Sequence, residues 1–337
     1  GAAAVTSPLR RGLPWVIVCA VAALAAVALA PFIGQTPLHF DRVFSWTIPF
    51  DNNVDAQIFF LARLPRSLAA AIVGGTLAAA GVVFQGLLRN PLATPYTLGI
   101  SAGASFGAMT AITFGTLLPF GGVTGASLAG ALLAVFVVYT LASARQSGLS
   151  TTVLLLAGVT MNSFFSALIL FVQYLSDFTE TFRALRWLMG DLDVAGYQPL
   201  VAALPLILVS LIGFVWLARP LNLLSLGADA AATRGVDVTR VHRAAFFSGS
   251  LATGAAVSIG GPIGFVGIIV PHLVRLVVGA DHRLVLPASF FFGAAFLVLC
   301  DVVSRTIMAP LELPVGIVTA MIGGPFFLWM LIRRKGL

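Results

Sequence analysis

The sequence predicts an all-α membrane protein with about ten transmembrane helices in one domain spanning residues 1–337. Of the 337 residues, 59% are hydrophobic and only 9% are charged, whereas soluble domains carry about 25% charged residues. The mean hydropathy of +1.03 agrees. Many apolar runs reach the roughly 20 residues that a helix needs to cross a bilayer. The short alternating segments of a transmembrane β-barrel are not seen in the sequence.

The first predicted helix occupies about Leu13–Ile33, behind Arg10 and Arg11. Its apolar run is longer than the core of a secretory signal and further spans follow, so we interpret it as a transmembrane helix with a cytoplasmic N-terminus. The other nine helices are expected to end near residues 88, 116, 142, 174, 217, 259, 272, 303 and 333. The third carries Gly99, Gly103 and Gly107 at four-residue spacing, which predicts close approach to a neighbouring helix. The eighth is the shortest and is expected to end at Pro271-His272.

The segments between the predicted helices are polar. A loop is expected at Gly34–Gln57, leading to Arg63-Leu64-Pro65-Arg66, and short loops are expected at 117–122 and 145–150. Ser176–Gly196 is amphipathic and is interpreted as an interfacial helix anchored by Trp187. With both termini in the cytoplasm, most of the 19 lysines and arginines fall on the cytoplasmic side, as the positive-inside rule requires.

The sequence lacks the residues that several classes of function require. The only lysine is Lys335, so no phosphate-binding loop is present, and neither an HExxH nor a GxSxG motif occurs. Cys19 and Cys300 are isolated, and the four histidines show no ligand spacing, so no metal site is expected. The basic residues are spread thinly over loops, which argues against a nucleic-acid partner.

A secondary transporter would need an ionisable residue near the bilayer midplane. The predicted helix centres have none, and Asp301 and Arg305 lie near an outer helix end. Ion coupling through backbone carbonyls stays open. The fifth helix carries Thr152, Ser163, Ser166 and Gln173 on roughly one face. This uncharged stripe is typical either of a path for a bulky ligand or of hydrogen bonds between helices.

A polar segment at about residues 219–243 interrupts the apolar pattern. Within it, Asp229 is expected to begin a short helix and Gly235 to end it. Such a helix fits either a handle for a soluble partner or a solvated loop. Asp229-Ala230-Ala231-x-x-x-Gly235 resembles the EAA-x3-G coupling motif of ABC importer permeases, with Asp in place of Glu.

Four further stretches resemble the iron-chelate and vitamin B12 uptake permeases, the type II ABC importers. The similarity covers nearly the whole chain and keeps the family's order. The stretches are Arg63–Arg66, Arg89–Ala93, Gly264–His272 with Asp281–Arg283, and Glu312–Gly316.

The resemblance implies a multi-pass permease of the bacterial inner membrane that is not itself an enzyme. It implies a homodimer in the lipid bilayer, with two cytoplasmic ABC ATPase subunits and a periplasmic substrate-binding protein. ATP and Mg would be bound by the ATPases, and no cofactor by this chain. The transported ligand would be an iron chelate. Tyr96-Thr97-Leu98-Gly99 favours haem, with ferric siderophores and cobalamin as alternatives. The outer arginines argue against a vitamin importer that works without a binding protein.

The resemblance also implies roles for individual residues. Arg63, Arg66 and Arg305 would bind carboxylates of the binding protein. The alternative is that these side chains only extend along the membrane surface to keep their charges in water. Asp229, Ala230, Ala231 and Gly235 would contact the ATPase. Asn90 and Leu92, with Thr151 and Thr152, would form a cytoplasmic gate. The fifth and tenth helices would line the path, including Ser163, Ser166 and Gln173. His272 and His282 are expected to be structural.

Overall fold

The structure is a computed structural model that describes residues 8–45, 47–115, 122–143, 151–194 and 196–334. The predicted loop at 145–150, most of the loop at 117–122 and Lys335 lie outside the described residues. The α-helices are α1 (Pro8–Leu29), α2 (Phe40–Val43), α3 (Val54–Gln57), α4 (Leu64–Leu88), α5 (Ile100–Phe114), α6 (Gly122–Ser143), α7 (Thr151–Leu175), α8 (Phe178–Leu188), α9 (Gln198–Leu224), α10 (Ala228–Ala232), α11 (Val238–Gly260), α12 (Val266–Val278), α13 (His282–Thr306) and α14 (Val315–Arg334).

Each of the ten predicted spans coincides with one of these helices. Six of them are long and apolar enough to cross a membrane, namely α1, α4, α6, α7, α9 and α13. The apolar helices α5, α12 and α14 are shorter, and α11 is long but carries more polar residues. The predicted interfacial helix is α8, which begins with a capping box formed by Asp177 and Glu180.

Helix α4 lies at the centre of the molecule and packs against α9, α11, α12 and α13. Lipid is as apolar as a leucine side chain, so close van der Waals contact takes the place of the hydrophobic effect between these helices. The glycines of α4 allow this contact. A methyl group on Gly74 would overlap the carbonyl oxygen of Gly293 in α13, and one on Gly81 would overlap that of Gly267 in α12.

The predicted glycine spacing in the third span is used in the same way. Gly99 caps α5 with a φ of +78°. Gly103 faces the backbone of Gly130 in α6, and Gly107 faces that of Ala126, so no side chain fits at either position. The expectation of close helix approach is confirmed here.

The second span begins earlier than predicted. Helix α3, a π-helical segment at 58–63 and α4 are continuous, so Arg63–Arg66 lies on a helix and not at the end of a loop. Pro65 has no N–H to donate within a regular helix. In the π-helical segment the N–H of Leu64 donates to the carbonyl of Phe59, five residues back. This shift of register accommodates the proline without ending the helix.

The prediction that the eighth helix ends at Pro271-His272 is wrong, because α12 continues to Val278. Pro271 leaves the carbonyl of Gly267 without its usual helical partner. The side-chain amide of Gln85 in α4 replaces that partner, with Nε2 donating to the Gly267 oxygen at 2.9 Å. The Gln85 oxygen in turn accepts a hydrogen bond from Arg275. One side chain from the central helix therefore keeps α12 intact.

Replacing Gly81 by alanine is expected to destabilise the protein by about 1–3 kcal/mol, because the added methyl group separates α4 from α12. The thermal unfolding midpoint in detergent measures the effect. Gly115 has a helical backbone and nothing within 4 Å of the position of a Cβ atom, so Gly115→Ala serves as the control and should unfold like the wild type. An equal midpoint for both variants would contradict the close contact at Gly81.

Candidate functional site

A cavity of about 750 Å³ opens at the end of the molecule that contains the N-terminus of α4 and the C-terminus of α13. The three arginines of the predicted docking set, Arg63, Arg66 and Arg305, all line it. Glu312, from the turn before α14, lines it as well. The structure therefore brings together residues from two distant stretches of the sequence, 63–66 and 305–312. We call this space the outer cavity.

A buried ion network forms the floor of the outer cavity. Arg66 donates through Nε to Asp301 Oδ1 at 2.8 Å and through Nη1 to Glu312 Oε2 at 2.6 Å. Nε of Arg305 lies 3.3 Å from Asp301 Oδ2, one helical turn away, and its Nη2 donates to the carbonyl of Ala30 at 2.9 Å. Asp301 is fully buried, and a buried charge is stable only when it is paired. The network therefore ties α4, α13, the turn before α14 and the end of α1 together.

Arg63 differs from the other two arginines. Its guanidinium donates to the carbonyls of Pro31 at 3.2 Å and Thr36 at 2.6 Å, and among the described residues it forms no ion pair. Its guanidinium therefore faces the cavity without a carboxylate of the described residues at ion-pair distance. Arg66 and Arg305 are instead bonded to other residues of the chain. The sequence did not predict this bonding. The i,i+4 spacing of Asp301 and Arg305 was the available signal for one of these pairs.

A second cavity, of about 550 Å³, lies between α5, α7 and α8. Ser166 and Gln173 of the predicted stripe line it, together with Asn162, and Ser101 and Ser105 face them from α5. The described residues that line it include no charged side chain. We call it the polar groove.

The other members of the stripe lie outside the polar groove. Ser163 is exposed, and its hydroxyl donates to the carbonyl of Val159 at 3.3 Å. Thr152 is exposed in the first turn of α7, next to Thr151. The remaining predicted gate residues follow α4, where the side-chain oxygen of Asn90 accepts the N–H of Leu92 at 2.9 Å. The structure thus places the two predicted gate pairs at the ends of α4 and α7.

The predicted coupling helix is α10, but Asp229 does not begin it. Gly227, with a φ of +120°, is the N-cap, and Asp229 is exposed one position inside the helix, with no capping hydrogen bond. Gly235 ends the segment as expected, with a φ of +81° and its N–H donating to the carbonyl of Ala232. Ala230 is half-buried and Ala231 is fully buried. Of the four residues predicted to contact the ATPase, Asp229 and Gly235 are therefore the exposed ones.

The predicted polar segment at 219–243 begins within a helix, because α9 continues to Leu224 instead of ending near 217. At its end, Asn222 binds the start of α13. The Asn222 amide donates to Asp281 Oδ1 at 2.7 Å, and its oxygen accepts the backbone N–H of His282 at 2.8 Å. The hydrogen bond from Arg283 is the largest cause that lowers the pKa of Asp281 to about 2. The base of this polar segment is therefore fastened to α13.

Both histidines of the motif stretches pack within the protein. Nδ1 of His282 lies 2.7 Å from the Asn222 oxygen. Asn222 directs its amide at a carboxylate, so this oxygen is an acceptor and Nδ1 of His282 carries the proton. The ring of His272 meets the ring of Phe326 in α14 edge-on, with centroids 6.1 Å apart. Among the described residues no group of three metal-ligating side chains is found.

Comparison with known proteins adds the family. Residues 21–333 match the model of the FecCD transport family. The chain belongs to this family. It is 42% identical over 294 residues to the uncharacterized ABC transporter permease YvrB of Bacillus subtilis, covering 86% of this chain and 83% of that protein.

Two other relatives of the FecCD chain are named for a ligand. The cobalamin import permease BtuC of Halobacterium salinarum is 45% identical, over 81% of this chain and 73% of its own length. The hemin transport permease HmuU of Yersinia pestis is 39% identical, over 84% and 86%. A solved structure, described as a metal-chelate type ABC transporter in an inward-facing conformation, superposes with a TM-score of 0.81 at 32% identity, over 95% of this chain and 99% of that one.

These findings confirm that the chain is a multi-pass membrane permease of an ABC importer. It is not itself catalytic, because ABC systems bind ATP on partner ATPase subunits. The family also implies a substrate-binding protein as a partner. The all-helical fold expected from the sequence is confirmed by the same structural match.

Replacing Asp301 by asparagine is expected to destabilise the protein by about 3–5 kcal/mol, because two buried guanidinium groups lose their shared counter-charge. Glu312→Gln is the control, since this carboxylate is partly exposed and Arg66 keeps Asp301. Thermal unfolding in detergent should show a large loss for Asp301→Asn and a small one for Glu312→Gln. The reverse order would contradict the network as described.

Proposed function

We propose that this chain is the permease of an importer that moves an iron chelate, specifically haem, from the periplasm to the cytoplasm. The observation that carries the proposal is the polar groove within a FecCD-family permease. Its walls are weakly polar and uncharged, so a large ligand can pass without being held by a fixed charge. Support for haem comes from the hemin transport relative and from the sequence Tyr96-Thr97-Leu98-Gly99 beside the groove.

Cobalamin is the second candidate, because the haloarchaeal relative of that name is 45% identical and the vitamin B12 permease of Vibrio cholerae is 39% identical. Ferric siderophores fit the same uncharged path. The groove by itself does not discriminate among these large ligands. Selection would then rest with the substrate-binding protein that delivers them.

The proposed assembly contains two copies of this chain, two cytoplasmic ATPases that hold ATP and Mg, and a periplasmic binding protein. The exposed face of α7 supports the homodimer. Beside the groove this face carries large apolar residues, including Leu170 at 66% and Phe171 at 59% exposure. A second copy against this face would enclose the ligand path between two grooves. Opposed α7 and α14 helices would then line the path.

We infer that the outer cavity docks the binding protein and that Arg63 makes the main contact. A guanidinium fork suits bidentate binding of a carboxylate, and Arg63 has no carboxylate partner among the described residues. Arg66 and Arg305 belong to the same proposed site, where the Arg66–Asp301 hydrogen bond and the Arg305–Asp301 ion pair hold the cavity wall in shape.

The cytoplasmic residues complete the proposal. Asp229, Ala230, Ala231 and Gly235 would form the contact with the ATPase, with Ala231 anchoring α10 and Asp229 facing the partner. Asn90, Leu92, Thr151 and Thr152 would close the inner end of the path. A movement of the ATPases would then be transmitted through α10 and α9 to the helix bundle.

Uptake in proteoliposomes tests the substrate. The permease, reconstituted with its ATPase and its binding protein, is expected to accumulate haem in an ATP-dependent manner, and cobalamin or a ferric siderophore much less. Omission of ATP is the control for leakage. Preferred uptake of cobalamin would overturn haem while leaving ABC import in place, and ATP-dependent uptake of none of the three would overturn the substrate class.

Reversing the charge of Arg63 tests the docking site. Arg63→Glu is expected to abolish stimulation of ATPase activity by the binding protein, because two carboxylates would then face each other. Arg42→Glu is the matched control, since Arg42 is an exposed arginine of the same outer segment that does not line the outer cavity. Stimulation that is unchanged in Arg63→Glu, or equally lost in both variants, would contradict docking at Arg63.

A further inference from the structure

A third cavity, of about 720 Å³, lies between α9 and α13, away from the outer cavity and the polar groove. We call it the α9–α13 cleft. Both of its helices pack on α4, whereas α7 packs on α5 and α6. The cleft is therefore separate from the face on which we place the second copy of the chain. Its occupant must come from the surroundings of the protein.

The walls of the cleft are apolar. Phe214 of α9 faces Leu286, Phe290 and Phe291 of α13. The lip of α9 is turned outward, where Val215 is 77% exposed, so the cleft opens towards the hydrocarbon of the bilayer. Water does not fill an apolar space of this kind, and an empty one would leave its lining without van der Waals partners. A hydrocarbon chain is the occupant that fits such walls.

The end of the cleft that the predicted topology places at the cytoplasmic surface is basic. Arg219 and Arg283 line it there beside Trp216, and no acidic side chain is among the described lining residues. Arg240 adds a third guanidinium, 5.9 Å from the centre of the Trp216 ring. Tryptophan and arginine at this depth are typical of the headgroup region. The mouth therefore favours an anion at the level of lipid phosphates.

The two lining arginines have donors to spare. Arg219 is exposed and makes no hydrogen bond or ion pair with another described residue. Arg283 binds Asp281 through Nε and Nη2, and its Nη1 has no partner among the described residues. Asp281 is itself occupied by Arg283 and Asn222, so it offers little to the ammonium group of a zwitterionic lipid. These contacts favour a net negative headgroup over a neutral one.

The dimensions also fit a lipid. The lining of α9 extends from Arg219 to Leu211, and that of α13 from Arg283 to Phe291. At 1.5 Å per residue, each wall is about 12 Å long. Half of the hydrocarbon core of a bilayer is about 15 Å thick. An acyl chain anchored at the arginines would thus run along most of one leaflet within the cleft.

We propose that the α9–α13 cleft binds one anionic phospholipid of the cytoplasmic leaflet. Its phosphate is held by Arg219 and Arg283, and its acyl chain lies against Phe214 and Phe290. The site does not depend on which chelate is transported. It lies at the base of the polar segment, because Arg219 is at the end of α9 that leads to α10.

Native mass spectrometry of the detergent-solubilised permease–ATPase complex, with added dioleoyl phosphatidylglycerol or dioleoyl phosphatidylcholine, tests this site. The wild type is expected to bind the phosphatidylglycerol more tightly, by about fivefold for each arginine at the mouth, because this headgroup has a net negative charge and that of phosphatidylcholine has none. Arg219→Gln should lower the affinity for phosphatidylglycerol about fivefold and that for phosphatidylcholine less, since the choline ammonium already offsets its phosphate. Because the Arg219 side chain bonds to no other described residue, this variant is expected to keep the fold.

Arg243→Gln is the matched control, since Arg243 is exposed on the same cytoplasmic side but does not line the cleft. It should bind phosphatidylglycerol like the wild type. Soluble glycerophosphoglycerol, which has the headgroup without the chains, should not displace the lipid. Equal binding of the two lipids by the wild type, an equal loss in Arg243→Gln, or displacement by the soluble headgroup would each overturn the proposal.

Discussion

Close backbone contact along α4 is the constraint on which the remaining structure depends. Four helices pack closely on this one helix, and in a bilayer van der Waals contact and hydrogen bonds hold them there, together with the Arg66–Asp301 ion pair to α13. Gly74 and Gly81 bring α13 and α12 so near that no side chain fits between the backbones. The approach of α12 also places Gln85 beside the gap that Pro271 makes in the helix. Packing and hydrogen bonding are thus solved by the same short stretch of α4.

The ion network at the outer end follows a different rule. Arg66, Asp301 and Arg305 lie in or beside an apolar bundle, where an unpaired charge is costly, and their charges alternate in sign along the network. This arrangement divides the arginines of the outer cavity into two kinds. Arg66 and Arg305 cross-link helices, while Arg63 donates to backbone carbonyls and forms no ion pair with a described residue. The two arginines of the stretch Arg63–Arg66 therefore differ in what they bind.

The sequence was sufficient for features that depend on local composition. It predicted the ten spans, the close packing of Gly103 and the stop at Gly235, because apolar length and glycine spacing determine these directly. It was wrong where a distant residue decides the outcome. The end of α12 could not be predicted because the donor that rescues Pro271 is Gln85, 182 positions away from the carbonyl that it binds. The pairing of Arg66 with Asp301 and Glu312 likewise spans more than 230 positions, and no periodicity in the sequence encodes it.

Helix α13 has a further consequence. Its first residue, His282, is bonded to Asn222 at the base of the polar segment, and Asp301, near its other end, belongs to the ion network of the outer cavity. The two fastenings are about 28 Å apart at 1.5 Å per residue, and a continuous helix joins them. Thermodynamic linkage is reciprocal. If a partner bound at one end of α13 changes the affinity for a partner at the other end, the second partner changes the affinity for the first by the same factor. Through this one helix, a partner bound at the outer cavity that shifts α13 would change the free energy of any partner bound beside Asn222, and the reverse would hold to the same extent.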